Sequence, residues 1–363
     1  MVEADEVLSH PRRARDTHAD AVRGVGIAAL VLSHTLTIAT QTPQVAGLNG
    51  FIIAWNMPVF FFVSGWAMAL QAPRAPLSAA KRRARSLLIP YLAWICLLWV
   101  VGYPWSGGEG GVGTWFQILF APREMWFLYC LFLASVLFAA VRQLGRSPAV
   151  VLGGVIVVAL AATALSQRAP EGLLTLADLG WLLPFLAVGY YGCRIAQDRR
   201  RLPTLAKAAL AVVALAVLWF VVGPGLFRFT VFGFWPLSLI AGNSVAAQLV
   251  NHAARYALAT AGIATVWQLV RLLSARAAQA LSSLGTATLG IYALNSPLLT
   301  LVRVWFPSWS LATNPAFTIL IVLATALIVL GVGWLITLLL GRVEITRHVL
   351  LGRWASPPSK VAT

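Results

Sequence analysis

Asp20-Ala21-Val22-Arg23-Gly24-Val25-Gly26-Ile27-Ala28-Ala29-Leu30-Val31-Leu32-Ser33-His34 is the stretch from which the rest of the chain can be read. Everything between the arginine and the histidine is small or apolar, so the segment suits lipid except at its two ends. Eleven helical steps of about 100° return nearly to the starting azimuth and climb about 16 Å, which puts Arg23 and His34 on one face. An ionisable group in hydrocarbon costs about 3 kcal/mol or more and is by default a functional candidate. The structural alternative is an arginine that snorkels and a histidine bonded to a neighbouring helix. Asp20, one turn before Arg23, is placed to fix its rotamer.

Composition agrees with a membrane reading. Of 363 residues 60% are hydrophobic and only 10% charged, mean hydropathy is +0.82 and there are 15 tryptophans, which excludes an ordinary soluble domain. The net charge of +16 does not indicate nucleic acid, because the basic residues lie in short loops between apolar runs, where they set orientation and face anionic lipid. Cys96, Cys130 and Cys193 fall in apolar runs without metal-ligand spacing and read as packing residues. No metal site is expected. No short apolar region with a cleavage site precedes the first span, so no signal peptide is expected.

Apolar runs occur at 24-41, 51-71, 87-104, 125-141, 149-166, 178-194, 204-223, 255-273, 285-302 and 315-341, which predicts an all-α, polytopic integral membrane protein of about ten transmembrane helices. The region 226-250 is broken by Gly233, Pro236, Gly242 and Asn243 and reads as re-entrant or surface-lying. With a cytoplasmic N-terminus, 22 of the 27 Lys and Arg residues fall on the inner side, so both termini are expected in the cytoplasm of a cell-membrane protein. The expected organisation is an N-terminal segment 1-22, a membrane domain 23-341 and a tail 342-363. The glycine-rich stretch 107-113 lacks the Lys-Ser/Thr of a phosphate loop and reads as a flexible outer loop.

Polar residues in or beside spans are the remaining candidates. In Asn56-Met57-Pro58-Val59-Phe60-Phe61-Phe62-Val63-Ser64-Gly65, the proline frees a carbonyl and Ser64-Gly65 permits close helix approach, which is a packing pattern. Asn56 needs a partner at that depth and is a candidate to orient substrate. The cluster Lys81-Arg82-Arg83-Ala84-Arg85, followed by Pro90-Tyr91, is either a topology determinant or a grip for a polyanion, with Arg82 and Arg85 on one helical face. Glu124 either pairs with Arg123 or lines an acceptor pocket with Trp126 stacking on a sugar-like ring.

These residues together resemble the membrane-bound acyltransferase-3 family, which includes O-antigen and fucose O-acetylases. The likeness runs through Asp20-x-x-Arg23-Gly24 with His34, Met57-Pro58-x-Phe60-Phe61-Phe62-x-Ser64-Gly65, Arg85-x-x-Leu88-Ile89-Pro90-Tyr91, Trp126-Phe127-Leu128-Tyr129 and Leu289-Gly290-Ile291-Tyr292-Ala293-Leu294. The resemblance implies a ten-span enzyme without a tightly bound cofactor. It would take an acyl group, often acetyl, from cytoplasmic acyl-CoA and place it on a hydroxyl of a carbohydrate or another envelope or secreted metabolite.

It further implies that Arg23 and His34 are needed for activity and that Arg82 and Arg85, with Lys81 and Tyr91 alongside, serve the donor. Asn56, Ser64, Glu124 and Trp126 are the candidates for the acceptor. Family members often carry His where this chain has Asn56, Met125 and Asn295. Proton transfer would therefore fall largely to a neutral His34 acting as general base, while Arg23 holds the donor's phosphates or pantetheine arm. The rival class is a transporter of a small polar metabolite that uses the same Arg and His as a proton relay. The missing repeated halves and scarce membrane carboxylates count against it.

Overall fold

The computed structural model describes residues 16–39, 43–71, 76–101, 118–122, 125–145, 147–196, 204–230, 233–236, 245–305 and 314–354. The principal helices are α1 (Thr17–Ile38), α2 (Pro43–Ala69), α3 (Pro76–Arg83), α4 (Ile89–Val100), α5 (Trp126–Val141), α6 (Pro148–Ser166) and α7 (Leu176–Ala196). They are followed by α8 (Thr204–Leu226), α9 (Val245–Leu272), α10 (Ala275–Thr286), α11 (Thr288–Trp305), α12 (Pro315–Leu340) and the short α13 (Glu344–Val349). A π-helical turn, Ala84–Leu88, joins α3 to α4.

Helices occupy all ten apolar stretches of the sequence. Among the described residues six helical segments are long and apolar enough to cross a membrane alone: α1, Val45–Ala69, the continuous run Pro76–Val100, α6, Leu173–Ile195 and Ala316–Leu340. The pair α10 and α11, bent by 69° at their junction, makes a seventh if taken as one broken span. Helix α5 and the stretch Thr204–Trp219 are apolar but shorter. Side chains such as Val157, Leu160, Leu327 and Ile328 stand exposed on the outside of the bundle, the inside-out distribution that a lipid solvent allows. The interrupted region after residue 226 forms a hairpin: β1 (Phe227–Thr230) pairs antiparallel with β2 (Gly233–Pro236), with Arg228 opposite Trp235. The glycine-rich stretch 107-113 and the termini 1–15 and 355–363 lie outside the described residues.

Helix α1 is central, with α2, α9, α10, α11 and α12 all packed on it. Its N-cap, Asp16, accepts from the His18 and Ala19 backbone N–H groups through Oδ1 and from Trp66 Nε1 through Oδ2 at 2.8 Å. One carboxylate thus caps α1 and fastens it to the far end of the antiparallel α2. Against α10 the helices meet backbone to backbone. A Cβ on Gly24 would lie 2.0 Å from the Leu281 carbonyl oxygen, and one on Gly285 would lie 1.8 Å from that of Asp20. Small residues at such crossings allow the close packing that substitutes, within a membrane, for a hydrophobic driving force between helices.

Candidate active site

Two polar centres lie along α1, as its sequence requires. At the first, Arg23 Nη1 stands 3.3 Å from Asp20 Oδ1, with Asp20 buried and Arg23 partly open. The pair sits where α10 touches α1, so the glycine contacts that set this crossing also set the height of the guanidinium. Arg83 is close enough to interact electrostatically with both Arg23 and Arg82. Lys81, Arg82 and Arg85 are exposed, whereas Arg83 is half-buried. Arg82 and Arg85 share one face only in an uninterrupted α-helix. The π turn begins between them and widens the helix there.

At the second centre, Asn295 Nδ2 lies 2.6 Å from His34 Nδ1 and joins α1 to α11 across 261 residues of sequence. Asn295 is 1% exposed, and its Oδ1 has no hydrogen-bond partner among the described residues. His34 is deep among the helices yet half-buried rather than sealed, so its ring keeps accessible surface. Beside it, Ser33 Oγ donates to Asn49 Oδ1 at 2.6 Å, while Asn49 Nδ2 reaches Thr37 Oγ1 at 3.5 Å. These bonds hold α2 against α1 immediately before and one turn after the histidine. One turn before Asn295, Tyr292 packs 5.5 Å from Phe127, whose ring also meets Phe60 and Phe61 at 5.4 and 5.7 Å. An aromatic cluster from α2, α5 and α11 therefore adjoins the His34 and Asn295 pair.

The other sequence candidates are placed as follows. Tyr91 is buried and its hydroxyl donates to the Ile118 carbonyl, so it ties α4 to the segment before α5 and does not stand with the cationic cluster. Asn56 accepts from the Met57 N–H at 2.6 Å, turned back on its own helix just before Pro58. Ser64 is buried next to Gly65, where a Cβ would lie 1.8 Å from the Leu186 carbonyl oxygen, which makes it part of the seam between α2 and α7. Trp126 opens α5, half-buried, behind Met125 in the left-handed region at φ 53°. Glu124 lies outside the described residues. Cys130 and Cys193 are buried and Cys96 is exposed, all three as free thiols. Among the described residues no group of three His, Cys, Asp or Glu side chains is arranged to hold a metal ion.

Residues 17–337 match the family described as the acyltransferase domain, Acyl_transf_3, which covers α1 through most of α12. The chain belongs to the acyltransferase-3 family. No curated protein and no solved structure matches it. This acyltransferase is a multi-pass membrane protein, and both ends of the Arg23 to His34 stretch lie within the matched region. Asn295 and Arg83 are the residues near these two centres that sequence reasoning had not selected. Asn295 was visible only as a departure from the family pattern, and Arg83 only as one of several neighbouring cations.

Proposed function

We propose that this acyltransferase moves an acyl group, acetyl in the simplest case, from cytoplasmic acyl-CoA to a hydroxyl of a carbohydrate or another envelope or secreted metabolite, with His34 as general base. The observation that carries the reading is the contact between His34 Nδ1 and the buried Asn295 amide. A neutral imidazole holds one proton, and the group facing Nδ1 decides where it resides. With its N–H toward the ring, the amide puts the proton on Nε2. Rotated by a half turn, its oxygen accepts Nδ1–H and leaves the Nε2 lone pair for the acceptor hydroxyl. The second orientation is the one a base requires, and the two have nearly the same outline.

As the hydroxyl oxygen attacks the thioester carbonyl, its proton passes to Nε2. The tetrahedral intermediate then expels the CoA thiolate, which takes that proton from the imidazolium and returns His34 to its neutral form. Arg23 is about 16 Å along α1 from His34, too far to touch the reacting carbonyl. It is suited instead to the donor's phosphates, as Arg83 and the exposed Lys81, Arg82 and Arg85 are, while the pantetheine arm extends toward the imidazole. Alignment of donor and acceptor supplies the rest of the acceleration.

The test is thiol release from acetyl-CoA by purified protein in detergent, with water as the default acceptor. His34→Ala should slow release by about 10²–10⁴-fold without loss of folded protein. Release at the wild-type rate would remove His34 as the base. No gradient exists in detergent, so turnover there also separates group transfer from transport.

A further inference from the structure

The matched region ends at residue 337, yet the chain beyond it is bonded to α4, to the π turn before it and to the end of α10. After α13 it turns at Gly352, which has φ +61° and lies so close to the π turn that a Cβ would come 2.4 Å from the Ser86 carbonyl oxygen. Leu350 O accepts from Trp94 Nε1 at 2.9 Å. Trp354 Nε1 donates to Arg85 O at 2.8 Å, with the His348 ring stacked on its indole at 4.8 Å. Arg353 Nη2 donates to Thr286 O, the last carbonyl of α10, at 2.5 Å.

Two of these bonds answer a local deficit. In the π turn the Ile89 N–H goes to Ala84 O, five residues back, and the next residue, Pro90, has no N–H. Arg85 O is thereby deprived of both the usual and the π-type donor, and the indole of Trp354 supplies one. Thr286 O belongs to the carbonyls that a helix end leaves without intrahelical donors, and a guanidinium also suits the negative end of the helix dipole.

We infer that Leu350–Trp354 is a working part of the donor site: Trp354 and Arg353 are positioning residues that clamp the Arg85 turn to the end of α10, beside Arg23. This rests on the acyl-CoA reading above. The ligand chemistry concerned is the phosphorylated nucleotide end of the thioester, because the clamped turn carries the exposed Arg85 and follows closely on the exposed Arg82 near the end of α3.

The experiment compares thiol release from acetyl-CoA and from S-acetylpantetheine, which lacks the nucleotide, in Trp354→Phe and Arg353→Met. Loss of one hydrogen bond that orders the cationic turn should raise KM for acetyl-CoA about three- to tenfold with kcat nearly constant. The kcat/KM for S-acetylpantetheine should stay at the wild-type value. An unchanged KM for acetyl-CoA, or equal losses with both donors, would overturn the inference, the second result marking a general structural role. If one variant fails to fold, the other carries the same comparison. Wild-type protein that releases thiol from S-acetylpantetheine but is indifferent to the nucleotide would end the inference alone, whereas release from neither donor would end the acyl-CoA reading with it.

Discussion

Asn295 holds His34 at 2.6 Å through a single contact, and the rest of that amide is buried without another partner among the described residues. An arrangement that leaves one end of a buried amide unsatisfied, whichever way the amide is turned, is costly, by about 1–3 kcal/mol. Such a cost is more readily understood at a site with a task than in a packing core. Asn295→Leu should therefore reduce kcat for thiol release by about tenfold or more, the amide having lost control of the ring's tautomer. Asn295→His should restore much of that loss, because a second imidazole can still bond to Nδ1. Equal rates for the leucine variant and wild type would show that His34 needs no orientation from α11.

Close approach between α1 and α10 predicts a contrast between two glycines. Gly24→Ala would push a methyl group into the Leu281 carbonyl, 2.0 Å away, whereas a Cβ on Gly153 in α6 meets nothing within 4 Å. The first substitution should destabilise by about 1–3 kcal/mol and displace Arg23. The second should be neutral or stabilise by about 0.5–1 kcal/mol, since alanine costs less than glycine to order in a helix. Thermal unfolding in detergent reads both. Similar melting temperatures for the two variants would contradict the tight crossing.

Tyr91 provides a check on the difference between sequence motif and structural placement. Its hydroxyl is committed to Ile118 O, so Tyr91→Phe should lower stability by about 0.5–1.5 kcal/mol and leave KM for acetyl-CoA unchanged. A raised KM with unaltered stability would return Tyr91 to the donor site that the sequence suggested for it.

Much of the architecture was legible because it is local. Each of the ten apolar runs contains helix, although among the described residues only six or seven are long and apolar enough to span, and the region broken by Gly and Pro after residue 226 is where a hairpin interrupts the helices. The periodicity of α1 put Arg23 and His34 on one face, and Asp20 does pair with Arg23 one turn away. Local periodicity meets its limit at a local defect. The π turn over Ala84–Leu88 begins between Arg82 and Arg85 and changes the azimuth per residue, which a face drawn at about 100° per step does not foresee.

By itself, the sequence determined a membrane-spanning helical chain with a guanidinium and an imidazole about 16 Å apart on its first span, since hydrophobicity and helical period act between near neighbours. Only the tertiary structure decided what those groups meet. Asn295 reaches His34 across 261 residues, and Trp354 reaches Arg85 across 269. Contacts of that range depend on how helices cross, and helix crossings are fixed by packing and by the demand of buried polar groups for partners, neither of which leaves a period in the chain.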